Sequence, residues 1–493
     1  MTELLCLDVN LKLKWTLVNF GDICFLLCGV TFVMKTRNSR CRPGAGDGEW
    51  LNALLPLAVL VRECQTPVSP ARVNVLTVGA LGLVPSVAGT FVSRTWPGKS
   101  SAPNTLACCV ASALFVFAVA KVGVLHSIAV AFFMTFGFQH VRNLLLEHCP
   151  LSFTIGEASV VSQGLLLFIT SCENNVLQSL YESPKDCVEI VTLILQVGLL
   201  GVGLICGAVW LLPALRAPVP FYTVVLAVAV GMVVPALYFL LEFNPVKWIW
   251  LFMFETQESA MMFLYWVVCS VLAVKALSSQ VEAGKRASTS VRKCFHVLAV
   301  AVFLPGLIMH PCLLYLSSGV VLALFLILEA FRILQMPPLG GALQDSYSVF
   351  VDEKDAGGLA LTPIYLLVGC CTPMWLHPVL SSEALLPLMS GLLAVGIGDT
   401  AASVYGHKFG RHKWKDSKKT KEGTAACIIF QMAFVAILMM FGLVESNCIE
   451  YVRTLIAVVS SSIVEAKTDQ VDNLCLPLIT YLLLNVPIMF TCM

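Results

Sequence analysis

Long apolar runs separated by short polar clusters dominate this chain. The runs lie near residues 16–34, 50–61, 72–93, 104–120, 122–138, 151–171, 188–214, 218–242 and 259–277 in the first part. They continue near 294–309, 311–330, 358–377, 381–398, 423–444, 453–467 and 473–492. A helix crosses the hydrocarbon core of a bilayer with about 20 apolar residues. The pattern therefore predicts an all-α, polytopic integral membrane protein with about fourteen to sixteen transmembrane helices. The run at 50–61 is short for a span. Gly201, Gly203, Pro213, Pro235 and Pro363 lie inside runs, as is ordinary in packed membrane helices. The first run precedes Lys35, Arg37, Arg40 and Arg42, and reads as a retained signal-anchor.

Composition agrees. Of 493 residues, 58% are hydrophobic and 12% charged, with a mean hydropathy of +0.85; soluble domains are about one quarter charged. A net charge of +1 argues against a nucleic-acid partner. The twenty cysteines are scattered, many inside apolar runs, with no C-x-x-C pair and no zinc spacing; they read as reduced packing residues. Glu157, Ser159, Ser162 and Gln163 put polar groups inside an apolar run, where such groups usually join helices.

The polar clusters of the C-terminal half are the informative ones. They are 285–293, 329–355, 399–422 and 465–473, and each is separated from the next by two apolar runs. An even number of crossings returns the chain to the same side, so all four are expected at one membrane face. The cations of the third cluster place that face in the cytosol.

That third cluster reads GIGDTAASVYGHKFGRHKWKDSKKTKEG from Gly396 to Gly423. Asp399 closes an apolar run. Gly406 and Gly410 follow, then Lys408, Arg411, Lys413, Lys415, Lys418, Lys419 and Lys421, against Asp416 and Glu422. Glycines let backbone N–H groups approach a phosphate, and lysines neutralise polyphosphate charge. Asp399 and Glu422 supply oxygen ligands for Mg²⁺ shared with a nucleotide. A loop that only fixes topology is the plainer reading of the same cations. Elsewhere, Arg292, Lys293 and His296 share roughly one helix face before a span. Glu329 and Arg332 read as a structural ion pair, and Asp352, Glu353, Lys354 and Asp355 as an acidic turn. Glu465, Asp469 and Asp472 are spaced for one helical face, and carboxylates beside hydrocarbon tend to be functional. There is no Walker-type phosphate loop and no protein-kinase motif set.

These segments resemble the CTP-dependent lipid kinases, the dolichol kinases in particular. The resemblance is carried by RKCFHVLAV, FLILEAFR, FVDEKDAGGLALTPIYLLVG, AVGIGDTAASVYG, KKTKEGT and EAKTDQVDNLCLPL, between Arg292 and Pro477. The N-terminal FTIGEAS segment resembles dolichol kinases specifically. One departure is His407-Lys408-Phe409, where smaller residues are expected after Gly406. The resemblance implies phosphoryl transfer from CTP to the terminal hydroxyl of dolichol at the endoplasmic reticulum membrane. It divides the chain into a multi-span N-terminal region, 1–280, and a catalytic membrane domain, 281–493. It places CTP on Gly406, His407, Lys408, Gly410, Arg411, Lys418, Lys419, Thr420, Glu422 and Gly423.

Phosphoryl-transfer physics then suggests roles: Lys418 and Lys419 on the phosphates, Arg292 on the transferred group with His296 beside it, and Asp399 as base or metal ligand. Asp399, Glu465 and Asp472 form the expected metal set, for Mg²⁺ or alternatively Ca²⁺. CTP, a polyprenol, the bilayer and a second copy of the chain are the expected partners. A CTP-dependent lipid cytidylyltransferase and a multi-span transporter are the competing readings.

Overall fold

The fold is described from a computed structural model, which covers residues 41–65, 74–95, 105–120, 123–282, 289–351, 355, 357–377, 380, 384–415 and 417–486. The predicted first span at 16–34 and Asp352, Glu353 and Lys354 of the acidic turn lie outside the described residues. Everything regular among the described residues is helical, apart from a single isolated bridge between Lys413 and Thr420. Among the described residues, nine helices are long and apolar enough to cross a membrane, and four more apolar helices are shorter. The protein is an all-α polytopic membrane protein, as its hydropathy predicts. The chain forms two compact units, Met1–Pro184 and Lys185–Met493.

The first unit contains α1 (Leu54–Gln65), α2 (Val75–Thr95), α3 (Thr105–Ala120), α4 (Val124–His148) and α5 (Ile155–Ser179). Helix α5 begins at a reciprocal cap: the Glu157 N–H donates to Thr154 Oγ1, and the Thr154 N–H donates to Glu157 Oε2. The other carboxylate oxygen, Oε1, accepts from Arg42 Nη2 at 2.5 Å, with both side chains buried. A Cβ on Gly156 would lie 1.9 Å from the Gly48 carbonyl oxygen, so only glycine lets the incoming loop cross there. Gln163 Nε2 donates to the Asn52 carbonyl at 2.8 Å. Glu157 and Gln163 thus join segments, whereas Ser159 and Ser162 bond back to carbonyls of their own helix.

The second unit runs through α6 (Cys187–Leu211), α7 (Pro218–Leu241), α8 (Pro245–Phe254), α9 (Gln257–Glu282), α10 (Thr289–Met309), α11 (Pro311–Ile333), α12 (Gly340–Phe350) and α13 (Leu361–Leu376). A π-helical stretch, Leu392–Asp399, passes directly into α14 (Thr400–Phe409). It is followed by α15 (Lys421–Met440), α16 (Cys448–Lys467) and α17 (Asp472–Leu484).

Helices α6 and α11 run parallel. Their first turns are joined by a Cys187–Cys312 disulfide, and near their other ends Ile205, Val209 and Phe331 share one apolar cluster. This corrects the reading of all cysteines as reduced. The partners are 125 residues apart in sequence, and only the parallel packing of two helices brings them together.

Small residues set the spacing of the helices behind the site. A Cβ on Gly369 of α13 would meet the Asn473 carbonyl oxygen at 2.1 Å, and one on Gly391 would meet the Gly369 carbonyl oxygen at 2.4 Å. Backbones that approach so closely exchange van der Waals contact in place of a hydrophobic driving force, which lipid does not supply.

Candidate active site

Successive helices of the second unit reverse direction, so the N-termini of α10, α13, α15 and α17 gather with the C-termini of α11 and α16. The contacts agree. Phe295 of α10 meets Phe350 of α12 edge-on at 5.8 Å. Lys293 pairs with Asp399, and Lys419 pairs with Glu465 and Asp472. The four polar clusters therefore converge on one end of the bundle, as the pairing of runs predicts.

Asp399 is the centre. It ends the π-helical stretch and is buried. Both Lys293 Nζ and His296 Nε2 reach its Oδ2, the imidazole at 3.4 Å. His296 Nδ1 faces the Arg292 carbonyl at 3.3 Å; a carbonyl only accepts, so this nitrogen donates. The π geometry has local support: a Cβ on Gly396 would lie 2.4 Å from Val300 of α10. Extended π turns often mark functional positions.

The second centre is Lys419. Its ammonium donates to the Glu465 carbonyl at 2.5 Å and to Glu465 Oε1 at 2.7 Å, and lies 3.5 Å from Asp472 Oδ2. Burial pulls the Lys419 ammonium downward, but the carboxylates of Asp472 and Glu465 outweigh it and hold the group above its ordinary value. The charge of Asp399 is felt there as well, so the two centres form one electrostatic unit.

The loop carrying Lys419 is a small hairpin. Trp414 N donates to the Lys419 carbonyl and Lys421 N to the His412 carbonyl. Trp414 Nε1 donates to Thr424 Oγ1 at 2.9 Å, with Lys421 and Lys467 both near 6 Å from its ring, at 5.8 and 5.9 Å. Ser417 Oγ donates to the Ala466 carbonyl, and Lys419 N donates to Ser417 Oγ. Glu422 closes the turn, accepting from the backbone N–H groups of Arg411 and His412 and from His412 Nδ1 at 2.6 Å. Thr420 caps α15 by accepting from the Gly423 N–H.

The expected residues thus divide. Asp399, His296, Lys419, Glu465 and Asp472 come together. Lys293, the chain neighbour of Arg292, makes the contact with Asp399. Lys418, His407, Lys408 and Arg411 are exposed on the rim. Gly406, Gly410 and Gly423 pack tightly: an added Cβ would meet Thr420 Oγ1 at 2.9 Å, the Gly406 carbonyl oxygen at 2.3 Å and the Ala402 carbonyl oxygen at 2.8 Å, respectively. Lys293 lies on the helix face that its i, i+3 spacing with His296 marks in the sequence; for His412, Trp414 and Ser417 the sequence carries no comparable signal.

A second polar knot sits at the same end. Arg332 donates to Glu329, Gln344 and the Gly358 carbonyl and stacks on Tyr347 at 4.1 Å. Asp355 accepts from the N–H and Oγ1 of Thr362 at the start of α13. Glu329–Arg332 is a structural pair, as its spacing suggests.

Two lysines, with His296 beside them, face three carboxylates, Asp399, Glu465 and Asp472. Hard oxygen donors of this kind suit Mg²⁺. Among the described residues no group of three His, Cys, Asp or Glu side chains converges as a closed metal cage.

A multi-span helical membrane protein with a buried lysine–carboxylate centre at one end of its bundle belongs to the class of membrane proteins that carry a functional polar site within the bundle. The sequence comparisons sharpen this. The dolichol kinase family model matches residues 77–470. A dolichol kinase of Mus musculus is 33% identical over 456 residues, covering 87% of this chain and 84% of the mouse protein. The dolichol kinase EVAN of Arabidopsis thaliana is 31% identical over 430 residues, 80% of this chain and 75% of its own length. Dolichol kinase sec59 of Schizosaccharomyces pombe is 34% identical over 194 residues, 39% of this chain and 38% of its own. The chain belongs to the dolichol kinase family. No solved structure matches it.

Proposed function

We propose that this protein transfers the γ-phosphoryl group of CTP to the terminal hydroxyl of dolichol, releasing CDP and leaving dolichyl phosphate, the lipid carrier for protein glycosylation. The observation that carries this reading is the joined centre of Asp399, Lys293, His296, Lys419, Glu465 and Asp472 at one mouth of a membrane bundle. All of these residues lie within 281–493, which we assign as the catalytic region.

Catalysis of this transfer rests on positioning and charge stabilisation. Lys419 and Lys293 exchange their carboxylate partners for phosphate oxygens as the nucleotide enters. Lys418, Lys408 and Arg411 on the rim draw the triphosphate in. Lys293 and His296 both hold Oδ2 of Asp399, which leaves Oδ1 to receive the alcohol proton. The alcohol oxygen forms its new bond to the γ-phosphorus as the bond from that phosphorus to the β–γ bridging oxygen breaks. A divalent cation, Mg²⁺ by donor chemistry, supplies neutralisation of the phosphate charge when bound.

We further propose that the mouth opens to the cytosol from the endoplasmic reticulum membrane. The Cys187–Cys312 bridge lies at the far end of α11 from Glu329 and Arg332, and disulfides persist on the oxidising, lumenal side. The test of function is direct. Purified protein given γ-labelled CTP and dolichol should yield labelled lipid and unlabelled CDP. Labelled pyrophosphate in place of labelled lipid would instead assign a cytidylyltransferase.

A further inference from the structure

One polar side chain beside the proposed catalytic centre has, among the described residues, no partner for half of its amide. Gln431 lies within α15, about 15 Å along the helix axis from Lys421, and is 1% exposed. Its Nε2 sits 3.2 Å from the Cys427 carbonyl, 3.1 Å from Cys427 Sγ and 3.3 Å from Ser462 Oγ. A carbonyl only accepts, so the contact with Cys427 O fixes which end of the amide is nitrogen. The oxygen, Oε1, is then left buried with no hydrogen-bond partner among the described residues.

The position connects it to the chemistry. A Cβ on Gly398 would lie 2.5 Å from Gln431 Nε2, so the amide lies against the residue immediately before Asp399. Ser462, which holds the amide nitrogen, is one turn before Glu465 on α16. Next to Asp399 on the other side, Thr400 Oγ1 is likewise buried without a partner among the described residues. On α15 itself the neighbours Ile429 and Phe430 are 62% and 50% exposed and face outward, so this helix has a lipid-facing side and a polar inner side. An unsatisfied amide oxygen in the hydrocarbon region is costly, and such groups commonly mark a substrate path.

We propose that Gln431 binds the substrate alcohol: its Oε1 accepts the hydrogen bond of a long-chain lipid hydroxyl and holds that oxygen beside Asp399. The inference rests on the reading of the protein as a polyprenol kinase and names the residue that recognises its acceptor. The lipid enters from the bilayer, with its hydroxyl as the only polar group to be satisfied. The nucleotide enters from the aqueous mouth, where Lys419 and the rim lysines lie. The two substrates meet at Asp399 from opposite directions.

The test uses the full-length protein in detergent–lipid micelles. Gln431→Met keeps the length of the side chain and removes its acceptor. It should raise the KM for dolichol about tenfold or more while the KM for CTP stays within about twofold. Discrimination should change as well. A polyprene hydrocarbon lacking the hydroxyl should compete poorly with dolichol in the wild type and much better in Gln431→Met, an effect that a purely structural role would not produce. Gln431→Asn keeps the amide one methylene short; should the methionine variant fail to fold, it is expected to show the same split more mildly. Wild-type turnover together with an unchanged dolichol KM in both variants overturns the assignment of Gln431 alone. A wild-type protein that does not phosphorylate dolichol overturns the functional reading, and this inference with it.

Discussion

Asp399 and Lys293 can be tested as a pair. Removing one partner of a buried ion pair strands the other charge, at a typical cost of about 3–5 kcal/mol, whereas removing both costs less. Lys293→Met and Asp399→Asn should each lower the melting temperature. The double variant should recover part of that loss, and none of the three should recover activity, each falling at least about a hundredfold. Thermal melts and kcat on the same preparations check both halves. Full activity in Lys293→Met would remove it from the centre.

Lys419 has a different signature. Its folded-state pKa is raised, so the stability from its pairing is fully present below the unfolded value of about 10.4 and is lost only as pH rises through the higher folded value. The melting-temperature difference between wild type and Lys419→Met should therefore stay constant from about pH 6 to about pH 9. A difference that fades within that range would contradict the pairing. Much of this centre was legible in the sequence, because Asp399, Glu465 and Asp472 are carboxylates at the ends of apolar runs, where chance seldom leaves them. The choice of Lys293 over Arg292 was not. Consecutive helical residues differ by about 100° in direction, and only the packing of α10 on the π-helical stretch decides which of them meets Asp399.

The glycines of the central loop carry the element-scale lesson. Gly406, Gly410 and Gly423 read as a phosphate cradle, and the small-residue signal is real. In the folded chain, however, they let α14, the hairpin and the first turn of α15 pack backbone to backbone, which is what aims Lys419 at Glu465 and Asp472. Sequence cannot separate the two uses, since both require the absence of a Cβ. The π-helical stretch was also invisible, because its apolar residues suit an α-helix equally and its geometry comes from neighbours such as Val300. Gly423→Ala drives a Cβ against the Ala402 carbonyl oxygen, a backbone atom that cannot move alone. It should reduce activity at least about tenfold and raise the KM for CTP. Gly203→Ala is the control: nothing lies within 4 Å of its added Cβ, and activity should stay within about twofold. Equal kinetics in the two variants would mean that this packing does not position the site.

At the scale of the whole molecule, the proposed orientation rests on two independent features of the second unit. The cations of the hairpin sit at one end of the bundle, and the positive-inside rule draws that end to the cytosol. The Cys187–Cys312 bridge sits at the other end, and a disulfide is stable on the lumenal side. The charge rule alone would have sufficed for a loop that only fixes topology. The disulfide adds a chemical requirement of its own, and it was hidden from the sequence because its cysteines are joined by tertiary packing. Two exposed lysines report the ends. Lys415 lies on the hairpin, and Lys247 lies at the start of α8, which follows α7 away from the mouth. In a background with the exposed Cys294 and Cys448 replaced by serine, Lys415→Cys should react with a membrane-impermeant maleimide in sealed microsomes. Lys247→Cys should react only after detergent opens the vesicles. If the pattern is reversed, the mouth faces the lumen, the nucleotide must be supplied there, and the disulfide would have to survive in the reducing cytosol. That outcome would sink the orientation while leaving the geometry of the site untouched.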